Sequence, residues 1–116
     1  MESIQRPIKH DKGWGYELWI ANSPLYCGKV LVFNAGKACS MHFHLLKHET
    51  FFLESGRISV EILEDGVLST RHMEPGDSME IPPGTMHRIW ATEASRLFEF
   101  STQHFETDSY RIARGD

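Results

Sequence analysis

His42 and His44 stand two residues apart, and Glu49 follows five residues after the second. On a β-strand, positions i and i+2 face the same side. The two imidazoles therefore project together, their bases roughly 7 Å apart at about 3.3 Å rise per residue. Imidazole nitrogen binds first-row metals at about 2.0–2.1 Å, so one ion can sit between the two rings. After a turn, Glu49, Phe51 and Leu53 share one strand face. Glu49 then points inward above an apolar floor, and its carboxylate offers a hard oxygen ligand. A second stretch, from Gly76 to His87, adds a fourth donor. Its corner at Pro82, Pro83 and Gly84 forbids helix and turns His87 toward the same interior. Three imidazoles and one carboxylate suit one divalent transition metal: Mn, Fe, Co, Ni or Zn. Four protein donors on an octahedral ion leave two positions open, which separates a reactive site from a closed structural one.

Three more residues belong to this neighbourhood. Lys47 has the parity of Glu49, so its ammonium can reach the ligand side as an anchor for phosphate or carboxylate, or as a catalytic group. His48 is a second candidate substrate contact, although its opposite parity favours a surface position. Glu99 shares a face with Leu97 and Ser101. Turned inward it is a candidate catalytic base; turned outward it is a salt-bridging residue.

The elements that must hold these groups are short and frequently turned. Strands are expected over 13–20, 28–34, 58–63, 67–73, 78–81, 85–91 and 95–101, beside the two that carry the histidine pair and Glu49. Val30, Leu31, Val32 and Phe33 read as a buried strand, and Asp65 with Gly66 is a strong two-residue hairpin signal. Residues 1–12 form an arm or edge segment, and 102–116 a polar tail with one helical turn within 106–111. Many short strands between Gly and Pro turns imply an all-β sandwich or barrel. Cys39, Met41 and Phe43 fall opposite the histidines, and an apolar outer face there suggests a second layer or a homodimer contact. Trp14, Trp19 and Trp90 read as core or interface aromatics.

With 116 residues, the chain is one domain with its own core. A net charge of −4 without a basic run argues against a nucleic-acid partner. No apolar run approaches the roughly 20 residues of a membrane span, and the first residues hold no apolar signal region. A cytoplasmic protein is therefore expected. Cys27 and Cys39 fit no zinc spacing and are too few for a disulfide scaffold, so they read as reduced packing residues.

The two ligand-bearing stretches resemble the two motifs of the cupin superfamily. The first motif is Gly, five residues, His-x-His, three or four residues, Glu, six residues, Gly. Gly36, His42, His44, Glu49 and Gly56 fill it. The second is Gly, five residues, Pro-x-Gly, two residues, His, three residues, Asn. Gly76, Pro82, Gly84 and His87 fit it, with Ala91 where the family often has Asn. The resemblance implies a small antiparallel jelly-roll β-barrel, with its core over about residues 28–101 of a single 1–116 domain.

Within that superfamily, the chain resembles the type II phosphomannose isomerase domain. The likeness lies in Trp14, Gly15, Tyr16 and Glu17, in the basic Lys47 two residues before Glu49, and in the aromatic and acidic run from Glu99 to Arg111. His42 stands where that family usually has Gln. This resemblance implies a metal-dependent sugar or sugar-phosphate isomerase, in which the metal polarises a carbonyl and a base moves a proton between neighbouring carbons. The alternatives are a non-catalytic or sensory small-molecule-binding cupin and an Fe(II)-dependent dioxygenase. The expected partners are a small molecule such as a sugar phosphate and a second copy of the chain.

Overall fold

The structure, a computed structural model, describes residues 3–116; residues 1 and 2 of the expected N-terminal arm lie outside the described residues. The chain first forms β1 (Ile8–Lys12), β2 (Gly15–Asn22) and β3 (Cys27–Phe33). The short β4 (Met41–Phe43) and β5 (Glu49–Ser55) follow. Next come β6 (Ile58–Glu64), β7 (Val67–Met73), β8 (Ser78–Ile81), β9 (Met86–Ala91) and β10 (Ser95–Ser101). A 3₁₀ turn at Glu106–Asp108 leads into β11 (Tyr110–Ala113). Two antiparallel sheets result, ordered β1-β2-β3-β10-β5-β8 and β11-β4-β9-β6-β7. Neighbours such as β3 and β10 are distant in sequence, which is the wrapping of a jelly roll.

Alternation decides which side chains fill the space between the sheets. In β5, Phe51 and Leu53 are buried while Phe52 is half-buried, and in β10 Leu97 is buried between half-buried Arg96 and Phe98. Phe33, Phe51, Leu53, Val60, Ile62 and Leu97 join one apolar cluster. The β6–β7 hairpin turns at Asp65 and Gly66, with φ of 51° and 74°. Both central residues of such a turn need positive φ, which Asp-Gly tolerates. Gly56 (φ 91°) also has no alternative, because a Cβ there would collide with Ser95 Oγ.

Two expectations are corrected. The tail is not only a polar extension with a helical turn, because β11 pairs with β4 and extends the five-stranded sheet. Tyr110 stacks on Phe43 with centroids 5.1 Å apart, which covers part of the face expected to be open. The expected apolar outer face also dissolves, since Cys39 and Met41 are buried. Regular strand begins only at Met41, so parity does not extend back to Cys39. Instead Cys39 joins the core, and its sulfur accepts the Ile89 N–H at 3.3 Å. Burial pushes the Cys39 thiol up to about 12, in keeping with an inert packing role.

Candidate metal centre

The expected donors come together from both sheets. His42 of β4 is the cross-strand partner of His87 of β9. Antiparallel partners share a face, so both rings point between the sheets. His44 lies just past the end of β4, and Glu49 opens β5 in the opposite sheet. Ring centroids are 4.5 Å apart for His42–His87, 5.0 Å for His42–His44 and 6.0 Å for His44–His87. One nitrogen from each ring lies within 4.8 Å of the other two. Glu49 Oε2 stands 3.3 Å from His87 Nε2 and 3.6 Å from His44 Nε2.

The protonation of these rings follows from their outer partners. His42 Nδ1 meets the Ser40 carbonyl at 2.8 Å, His44 Nδ1 the Asp108 carbonyl at 2.7 Å, and His87 Nδ1 the Thr85 carbonyl at 2.9 Å. A carbonyl only accepts, so each Nδ1 carries a proton and each Nε2 is the nitrogen left for the centre. Burial, then the neighbouring His87, brings the His42 imidazole down to about 3. Burial, then the Lys47 ammonium, lowers His44 as well. Glu49 Oε2 is buried and has no hydrogen-bond partner. Lone pairs therefore face lone pairs, an arrangement that costs about 1–3 kcal/mol per unsatisfied buried group. One cation among them satisfies all four groups, so the residues present fit a transition metal held by His42, His44, Glu49 and His87.

The donors open into a cavity of about 580 Å³ whose floor includes Leu31, Phe51 and Ile89. Glu99 of β10 and Lys47, from the turn before β5, both line it, and Lys47 Nζ donates to Glu99 Oε2 at 3.0 Å. The ammonium also lies 3.5 Å from Glu49 Oε1. Burial alone would lower the Lys47 pKa, but the Glu99 and Glu49 carboxylates outweigh it and hold it above the ordinary value. Burial works against Glu99 too, yet Lys47 and then Lys29 bring its carboxyl down to about 2. His48 does not reach the cavity. Its exposed ring sits 2.7 Å from Glu80 on the outer surface.

Several residues of the site escaped the sequence reading. His104 lines the cavity and accepts Lys47 Nζ on Nδ1 at 3.1 Å; burial, then Lys47, lowers it to about 3. Lys29 is buried, 3.7 Å from Glu17 and 4.2 Å from the Trp19 ring centre. Its signal was present, since Lys29 has the inward parity of Leu31 and Phe33. His104 follows β10 in an irregular segment without periodicity. Asp108 is buried in the 3₁₀ turn, where its carbonyl holds His44. Its carboxylate accepts the N–H groups of Leu45, Leu46 and Lys47 at 2.9–3.2 Å. The turn between two metal donors is thus clamped from about sixty residues downstream.

Comparison with known proteins agrees with this architecture. No curated protein sequence matches the chain. Among solved structures, the capsular polysaccharide assembling protein CapF from Staphylococcus aureus superposes with a TM-score of 0.81 at 16% identity, over 92% of this chain and 34% of that one. CapF with the inhibitor 3-isopropenyl-tropolone gives 0.83 at 17% identity, over 92% and 34%. Oxalate decarboxylase from Bacillus subtilis at pH 4.6 gives 0.79 at 18% identity, over 91% and 30%. At these identities the likeness is one of fold, and this chain spans about a third of the solved chains it matches. No helix among the described residues is long and apolar enough to cross a membrane. Residues 29–100 match the family described as Cupin domain, and the chain belongs to that family.

Proposed function

We propose that this cupin is a metal-dependent sugar or sugar-phosphate isomerase of the phosphomannose isomerase-like type. The observation that carries the reading is one cavity holding both the bare donor set and the buried Lys47–Glu99 pair. When bound, the metal supplies a Lewis acid that polarises a carbonyl oxygen. The chain's own groups manage protons and solvent. Lys47 Nζ donates to both Glu99 Oε2 and His104 Nδ1. Paired with Lys47, the Glu99 carboxylate is too weak a base for carbon acids. A sugar that separates the two removes the charge holding it low and raises its basicity. Phe51 and Leu31 give their part of the lining an apolar surface. Oxalate decarboxylase of B. subtilis, with its Mn(II) centres, and CapF, which assembles capsular polysaccharide, are neighbours compatible with small-molecule and sugar chemistry on this fold.

The test is reconstitution with Mn, Fe, Co, Ni or Zn singly, followed by a screen of aldose and ketose phosphates. Metal-dependent interconversion is expected, with Glu99→Gln losing turnover but keeping its metal. Full metal occupancy without conversion of any sugar would instead indicate a binding or sensory cupin. Oxygen uptake that requires Fe(II) would indicate a dioxygenase.

A further inference from the structure

The cavity's cations divide into two groups. Lys47 and Lys29 are buried and already face carboxylates, Glu99 and Glu49 for the first and Glu17 for the second. Lys47 therefore does not stand ready for a substrate anion, contrary to the expectation from its position beside Glu49. Lys12, Arg111 and Arg114 also line the cavity, are exposed, and have no ion-pair partner among the described residues. We propose that Arg111 and Arg114 form an oxyanion clamp at the cavity mouth. It takes the phosphate or carboxylate of the substrate while the metal donors serve its reacting oxygens. The proposal rests on the reading of the cavity as a metal-dependent small-molecule site and names its substrate class.

The backbone register supports the clamp. Arg111 is the cross-strand partner of His42, so it shares the face that carries a metal donor. Arg114 lies three residues later, a spacing that would point it away from the cavity in a regular strand. The β4–β11 ladder slips between Arg111 and Ala113, however, because Arg111 pairs with His42 while Ala113 pairs with Met41. The extra residue, Ile112, is a bulge, and a bulge re-aims the side chains that follow. Arg114 thereby returns to the cavity side, where Ser40 also lines the wall. Lys12 stands beside this segment, since Gly13 packs against the backbone of Asp116.

Charges of both signs surround the mouth. Asp116 also lines the cavity, but its carboxylate accepts the Ala38 N–H at 2.7 Å. Asp11 is 3.6 Å from Lys9. Asp11, Glu106 and Asp116 thus stand among three cations, yet neither Arg111 nor Arg114 has a carboxylate within ion-pair distance among the described residues. A guanidinium fork matches the oxygens of phosphate or carboxylate in shape and charge.

The experiment uses inorganic phosphate and malonate as probes, each titrated calorimetrically into metal-free and into metal-loaded protein. Binding is expected in the metal-free chain and stronger in the loaded one. Arg111→Gln and Arg114→Gln should each weaken it about ten- to a hundredfold, the size of a lost charge-assisted hydrogen bond. Arg111→Lys should restore part of the loss, and Arg57→Gln, on the outer surface, should change nothing. Preference for phosphate over malonate identifies a phosphate ester as the natural group, and the reverse identifies a carboxylate. Unchanged affinity in both glutamine variants, with unchanged circular dichroism, overturns the clamp. So does a wild-type chain that binds neither anion in either form. If the protein takes no metal at all, the isomerase reading fails, while the metal-free titration still decides the clamp.

Discussion

Glu49 carries the sharpest asymmetry of any buried group described. Its Oε1 faces Lys47 Nζ at 3.5 Å, whereas Oε2 faces the bare Nε2 atoms of His44 and His87 with no donor between them. Glu49→Gln places an amide N–H₂ where those lone pairs wait. The same change should lower metal occupancy, read by elemental analysis, because a charged oxygen donor is gone. His44→Ala should lose most metal affinity in the same assay; full occupancy would contradict the geometry. Glu99 governs a different measurement. Its pKa falls from 4.5 to about 2 on folding, so its contribution is complete above about pH 4.5 and is lost as pH drops toward 2. Glu99→Gln should lack that loss and show a flatter acid limb between those pH values in a melting-temperature series. An unchanged slope would show that the Lys47 pairing does not hold Glu99 low in solution.

At the scale of elements, Asp108 joins the C-terminal 3₁₀ turn to the segment between His44 and Glu49. Asp108→Ala leaves the N–H groups of Leu45, Leu46 and Lys47 without their acceptor. A stability loss of about 3 kcal/mol is expected, consistent with lost hydrogen bonds to a charged group. The backbone carbonyl that accepts from His44 Nδ1 survives the change, so metal affinity should fall by only about 10-fold, through the loosened turn between His44 and Glu49. Unaltered affinity in competition with a chelator would show that His44 is oriented without this clamp. The elements differ in how much of them can be read from the chain alone. β5, β6 and β10 announce themselves, because inward apolar residues alternate with others, and Gly56 and Gly66 mark the ends of β5 and β6. Motif spacing alone brings His42, His44, Glu49 and His87 together. β11 is four residues long and exposed throughout, so no burial pattern betrays it. It forms because β4 offers a free edge, a fact visible only once the sheet exists. Asp108 and His104 were silent for the same reason, since both act through contacts more than fifty residues away. Lys29 was legible by parity and went unread.

At the scale of the molecule, the exposed apolar side chains bear on association. On the outer face of the six-stranded sheet, Phe52 stacks near Phe98 at 6.1 Å, and Phe98 lies 6.3 Å from Phe100, which is 56% exposed. This face, rather than Cys39 and Met41, is the one on which a homodimer is expected. Sedimentation should give twice the chain mass for the wild type and the chain mass for Phe100→Lys, with metal content equal in both. A wild type that stays at the chain mass at all concentrations rules the dimer out. Metal binding should also raise the melting temperature. Free metal at a thousand times its Kd adds about 4 kcal/mol to the folded state, and chelation should reverse the shift.

The clamp at Asp108 and the pairing of β11 with β4 also order events during synthesis. All four metal donors have been translated by residue 87, yet the carbonyl that orients His44 arrives at residue 108 and the flanking strand ends at residue 113. A nascent chain that has just exposed its donors still lacks the parts that aim them. A metal held by these residues would therefore be loaded late in the life of the polypeptide, and an unfinished chain on the ribosome would present a poor trap for whichever ion is most abundant nearby.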